Sequence, residues 1–147
     1  MKIKVAWIGK TKNPAIEALT AEYLKRISRY ARVSSVALKE EFAILPLMRG
    51  VRQHEERHKL VLLDSEGTQF SSEELAEFLQ RERVNAQPLL FAIGGSDGFS
   101  CETLRKAEFT LSLGKMTLPH ELARVVLVEQ LYRAFTILKN HPYHLRH

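Results

Sequence analysis

One cysteine, Cys101, stands in 147 residues, so the chain cannot close an internal disulfide, and a reducing compartment suits it. No apolar run approaches the roughly 20 residues that span a bilayer. Met1 to Lys12 lacks the apolar core of a signal peptide. No internal repeat or low-complexity linker interrupts the pattern. These absences argue against a disulfide-stapled scaffold and against a membrane partner, and the expectation is a cytoplasmic protein.

What is present fits one folded domain over residues 1–147. Hydrophobic residues make up 45% and charged residues 27% of the chain, the balance of a globular core with a solvated surface. Lys and Arg outnumber Asp and Glu by 22 to 17, a mildly positive field that favours polyanions. Some of that charge gathers at Lys25, Arg26, Arg29 and Arg32, where a solvated helix face explains it equally well. More lies in the tail, at Lys139, Arg146 and three histidines.

Strand and helix signals alternate along the chain. Ile3, Val5 and Trp7 alternate with Lys2, Lys4 and Ala6, which predicts a strand ending at Gly9. Asn13 as cap and Pro14 at the first helical position predict a helix to about Arg29, with Ile16, Leu19, Tyr23, Ile27 and Tyr30 as its apolar stripe. Arg32 to Leu38 reads as a weaker strand, and the stretch from Lys39 to Lys59 gives no clear signal. Leu60 to Leu63 reads as a short buried strand closed by a turn at Asp64-Ser65-Glu66-Gly67. Ser71 and Glu74 form a capping box for the next helix. Leu89 to Ile93 and Phe109 to Leu113 are further strands, separated by a short helix capped by Ser100. The longest helix runs from Pro119 to about Asn140. The expectation is an α/β fold: a mostly parallel sheet of five to six strands with helices on both faces.

The apolar residues of the last helix, from Leu122 to Leu138, cover more than one stripe, which implies burial on two sides. A homodimer with this helix in the interface satisfies that, as does a larger monomeric core.

Three motifs mislead. His54-Glu55-Glu56-Arg57-His58 has the H-E-x-x-H spacing of a zinc hydrolase, but the segment is charged throughout and runs into a strand, so no metal is expected. Gly94 to Gly98 reads as G-x-S-x-G around Ser96, yet no aspartate follows Asp97 and the chain is short for that hydrolase fold. A dinucleotide fingerprint would need glycine at Ser96.

The informative feature is a pair of strand-end loops. Leu89 to Ile93 opens onto Gly94-Gly95-Ser96-Asp97-Gly98, and Phe109 to Leu113 opens onto Gly114-Lys115-Met116-Thr117-Leu118-Pro119-His120. In an open α/β sheet, ligands sit outside the carboxyl ends of the strands, where glycines let backbone approach and amides are free to donate.

Ile93-Gly94-Gly95 with Gly98, Met116 to His120, Glu129-Gln130-Leu131-Tyr132-Arg133-Ala134 and His141-Pro142-Tyr143-His144 resemble the RlmH (YbeA) family of SPOUT-class RNA methyltransferases. Met1 to Gly9, Glu22-Tyr23-Leu24 and Leu62-Leu63-Asp64 match its pattern too, so the resemblance spans nearly the whole chain. It implies an S-adenosylmethionine-dependent enzyme that methylates N3 of a pseudouridine in 23S ribosomal RNA within ribosomes. It also implies a homodimer and a C-terminal trefoil knot. By the same resemblance the cofactor-binding positions are Leu63, Gly95, Gly114, Lys115, Met116, Thr117, Leu118 and Pro119. His144 is the candidate for proton handling and Tyr143 for positioning or stacking the base. His141, Arg133 and Arg146 are candidate RNA contacts, against a frayed terminus or a salt bridge. The rival of another class is a non-catalytic ribosome- or RNA-binding module with a vestigial cofactor crevice.

Overall fold

The computed structural model describes residues 1–50 and 54–145. Its strands are β1 (Lys2–Ile8), β2 (Arg32–Leu38), β3 (Lys59–Gln69), β4 (Leu89–Ile93) and β5 (Phe109–Ser112). Its α-helices are α1 (Pro14–Ile27), α2 (Ile44–Arg49), α3 (Ser72–Val84), α4 (Cys101–Lys106) and α5 (His120–Leu138). The strands form one sheet in the order β2-β1-β4-β3-β5, and every pairing is parallel. β4 lies in the middle, and all five of its residues are buried, as a strand covered on both faces requires.

Alternation along each strand sorts the core into two layers. Ile3, Val5 and Trp7 of β1 and Leu89, Phe91 and Ile93 of β4 face α1, α3 and α5, where Ile27, Phe78, Leu79, Leu131 and Phe135 close the larger core. On the other face, Ala6, Leu60, Leu62, Leu90 and Ala92 meet Ile44 and Met48 of α2, with Phe99 and Leu104 against the same layer. Helices therefore cover both faces.

Local chemistry sets most helix starts. Asn13 accepts the Ala15 amide at 2.9 Å ahead of Pro14. Ser71 and Glu74 exchange both bonds of the capping box. Ser100 accepts the Thr103 amide at 3.3 Å.

The structure corrects the sequence reading in several places. α1 ends at Ile27 rather than Arg29, and Leu19, assigned to its apolar stripe, is 45% exposed because Thr20 takes the buried position and bonds back to the Ile16 carbonyl. The unassigned stretch holds a 3-10 turn, Glu41–Ala43, followed by α2. His54 to His58 is turn and coil, so its two histidines do not stand one helical turn apart.

β3 does not stop at Asp64. It runs on to Gln69, and Leu111 of β5 pairs with both Leu63 and Thr68, so the residues read as a turn form a bulge within the strand. Gly67 permits this: a Cβ there would lie 2.7 Å from the Thr110 carbonyl carbon.

Candidate active site at the carboxyl strand ends

Because β4, β3 and β5 are neighbours and all parallel, their carboxyl ends emerge along one edge. That edge receives Leu63 from β3, Gly95 from the turn after β4, and residues 114–119 from the segment joining β5 to α5. The turn after β4 is tight, with the Gly98 amide donating to the Gly95 carbonyl at 3.0 Å. The second segment is set by Ser112, whose buried hydroxyl accepts the Gly114 amide at 3.2 Å and donates to the Gly114 carbonyl at 3.0 Å. Gly114 has φ +143°, a conformation L side chains rarely adopt. Lys115, Met116 and Thr117 are exposed, Met116 at 86%, while Leu63 and Leu118 are half-buried.

The end of β1 borders the turn after β4, and the β1–α1 connection follows it. Ile8 is the nearest neighbour an added Cβ at Gly95 would meet, at 3.9 Å. The connection is fastened to the start of α5: the Lys12 amide donates to Glu121 at 2.6 Å, and Arg124 bonds the Thr11 hydroxyl. Arg124 is 1% exposed, and its guanidinium carbon lies 4.0 Å from the Trp7 ring centroid. Burial lowers its pKa, with Glu121 opposing the shift. Motif reasoning missed this residue. Its signal was positional, since 124, 127, 128 and 131 share the inward face of a helix.

The tail forms a separate cluster. Residues Pro142–His144 make a 3-10 turn capped by His141, whose Nδ1 accepts the Tyr143 amide at 3.2 Å. The Tyr143 hydroxyl donates to Glu129 at 3.1 Å and lies 3.2 Å from the Tyr23 hydroxyl. Burial first, then the hydrogen bond with Tyr23 and the Glu129 charge, push its pKa well above the ordinary value, which keeps the phenol a donor. Its ring meets Tyr132 edge-on at 4.6 Å, and the Arg133 guanidinium lies 5.1 Å from its centroid. Arg133 is bound within the chain, to Glu129 at 2.5 Å, and that hydrogen bond raises its pKa. His144 Nδ1 is buried and bonds no described residue. Arg146 lies outside the described residues.

The cofactor candidates thus lie on or after the neighbouring strands β4, β3 and β5, and the tail candidates Tyr143 and His141 sit in a separate turn against α5. Tyr143 is held at the level of Glu129, about half the length of α5, or roughly 14 Å at 1.5 Å per residue, from the helix start that follows Pro119. Among the described residues, no cluster of His, Cys, Asp and Glu has the arrangement to hold a metal, and no helix is long and apolar enough to cross a membrane.

This geometry has known counterparts. Residues 1–144 match a family described as "Predicted SPOUT methyltransferase". A "Ribosomal RNA large subunit methyltransferase H" of Koribacter versatilis is 55% identical over 148 residues, covering 100% of both chains. The chain belongs to the RlmH family of SPOUT methyltransferases. A relative of the same description from Geobacter sulfurreducens is 41% identical, covering 98% of this chain and 99% of its own. Among solved structures, the SpoU methyltransferase AviRb of Streptomyces viridochromogenes, in complex with the cofactor AdoMet, superposes on 90% of this SPOUT chain with a TM-score of 0.56 at 14% identity. The match covers 57% of AviRb, so this chain spans little more than half of its length. A probable methylase family protein from Haemophilus influenzae gives 0.55 at 16% identity over 96% of this chain and 69% of its own. These two likenesses concern the fold.

Proposed function

We propose that the chain is an S-adenosylmethionine-dependent methyltransferase that modifies N3 of a pseudouridine in 23S ribosomal RNA, on assembled ribosomes in the cytoplasm. What supports this reading is the family together with the sheet order, in which β3, carrying Leu63, lies between the strands that lead to Gly95 and to residues 114–119. The residues suit the cofactor. Gly114 leaves open space where a side chain would stand and an added Cβ at Gly95 would meet only Ile8, Leu63 and Leu118 offer apolar walls, and the loop backbone presents amides and carbonyls to an adenine edge. When bound, S-adenosylmethionine supplies a methyl group activated on sulfonium sulfur.

The chain's own part is alignment and proton handling. Backbone at Gly95 and Gly114 to Pro119 would hold the donor in one pose. His144 would accept the imide proton that N3 gives up. Tyr143, anchored to Glu129 and Tyr23 and flanked by Tyr132 and Arg133, positions or stacks the base. Exposed His141 keeps its Nε2 for an RNA phosphate, and Arg133 maintains the Glu129–Tyr143 cluster.

The anchoring of the tail at Glu129, about half of α5 away from Pro119, supports a homodimer as the active form, in which each tail completes the other copy's site. Leu122, 42% exposed, and half-buried Val125 and Val126 leave an apolar stripe on α5 that a second copy would cover. The C-terminal trefoil knot belongs to the same proposal. The test is methyl transfer from labelled S-adenosylmethionine to large ribosomal subunits, with the modified nucleotide mapped. One labelled pseudouridine is the expected result, and binding without transfer would favour a non-catalytic module.

A further inference from the structure

A cavity of about 420 Å³ lies at the amino-terminal ends of β1 and β2, some 20 Å of strand away from the glycine crevice. Register places Lys2 beside Arg32 and Lys4 beside Ser34, so these four side chains stand on one face of the sheet. Further along the same face, Ala6, Ile8, Val36 and Leu38 are apolar and packed in the α2 layer. α2 is only six residues long, and where its cover ends the sheet face turns from apolar to cationic. The chain then folds back across this face. The His58 amide donates to the Met48 carbonyl at 2.9 Å, which makes the surface concave rather than flat.

The charges in the cavity do not cancel. Lys2 takes Glu56 at 3.5 Å, and Glu55 also lines the wall, but neither Lys4 nor Arg32 has an ion-pair partner among the described residues. His58 holds its Nδ1 3.1 Å from the Glu56 carbonyl, which leaves Nε2 for a ligand, and His54 stands on the same wall. Desolvation first, then the Lys4 charge, lower the His58 pKa, with Glu56 opposing them. Two cations, a hydroxyl and two imidazoles are the donor set of a phosphate site, and Pro46 and Leu47 add an apolar side against which a sugar or base can lie.

The geometry points to a second binding site, in which Lys4, Arg32, Ser34 and His58 hold the phosphate of a nucleotide. The source of that phosphate is either the backbone of the RNA or a free nucleotide. The site stands on the cavity alone and does not depend on the methyl-transfer reading.

The test is an NMR titration of the ¹⁵N-labelled full chain with uridine 5′-monophosphate and, separately, with uridine. Saturable shifts at the Lys4, Ser34 and His58 amides are expected with the monophosphate and not with uridine. They should weaken by about fivefold or more in the Lys4→Gln/Arg32→Gln double variant, whose strands keep their backbone pairing. Absence of a saturable response to the monophosphate at those amides, or an equal response to uridine, overturns the proposal. The source is read from methyl transfer to large ribosomal subunits. A KM for subunits raised about threefold or more at unchanged kcat in the double variant assigns the phosphate to RNA, and an unchanged KM assigns it to free nucleotide. If the wild-type chain transfers no methyl, the methyl-transfer reading fails while the titration still decides the cavity.

Discussion

At the scale of single residues, backbone geometry at the crevice makes the sharpest demand. Gly114 holds φ +143° with nothing within 4 Å of where a Cβ would stand, so Gly114→Ala meets conformational strain rather than a clash. The expected outcome is a stability loss of about 1–3 kcal/mol and at least a tenfold weaker S-adenosylmethionine affinity, read by thermal melting and calorimetry. A second residue-level effect concerns pH. Burial and the Lys4 charge lower the His58 pKa from its ordinary 6.5. As pH falls through 6.5 the unfolded chain binds the proton first, so this contribution to stability is complete above 6.5 and is lost toward the lower folded value. His58→Asn should flatten the fall in melting temperature between about pH 7 and 5, and an unchanged profile would show that His58 does not set it. Of the site residues, the glycine loops were legible because glycine at a strand end is a local signal. The Glu129–Tyr143–Tyr23 cluster was not, because it exists only once the tail folds back over α5.

At the scale of elements, strands and helices followed the sequence wherever their cause lies within a few residues. The Asn13 cap, the Ser71–Glu74 box and the apolar run of β4 are such cases. β3 departed from its sequence signal because Asp64 to Gly67 has turn composition, while its conformation is decided by pairing with β5, some 45 residues later. Gly67 is where that pairing is most exposed to change. With backbone atoms of Thr110 and Leu111 at 2.7–2.9 Å from an added Cβ, Gly67→Ala must push β3 and β5 apart. A destabilisation of about 1–3 kcal/mol is expected by denaturant titration, and a smaller, neutral result would mean that the bulge relaxes freely. The breadth of α5 has a mixed explanation. Leu127, Val128, Leu131 and Phe135 are buried within the chain's own core, which accounts for much of the apolar surface that suggested a partner. Leu122, exposed, and Val125 and Val126, half-buried, are the surface the proposed second copy would cover.

At the scale of the whole molecule, the order β2-β1-β4-β3-β5 sets β3 between β4 and β5, so that both glycine-bearing loops leave beside it. The sequence pattern pointed to the two loops, but not to β3 as the strand between them. A trefoil knot, by contrast, has no periodic signature, since connections ordinarily do not thread. The proposed homodimer treats the crevice and the tail, which is held near the middle of α5, as two half-sites of each chain.

Co-expression of a Gly114→Val chain with a His144→Ala chain under different affinity tags, followed by isolation of the mixed dimer, tests that division most directly. Each parent variant alone should be nearly inactive in methyl transfer to large ribosomal subunits. The mixed dimer, with one intact site assembled from one chain's loop and the other's tail, should recover about half of wild-type activity. A mixed dimer as inactive as its parents would contradict a site shared between two copies.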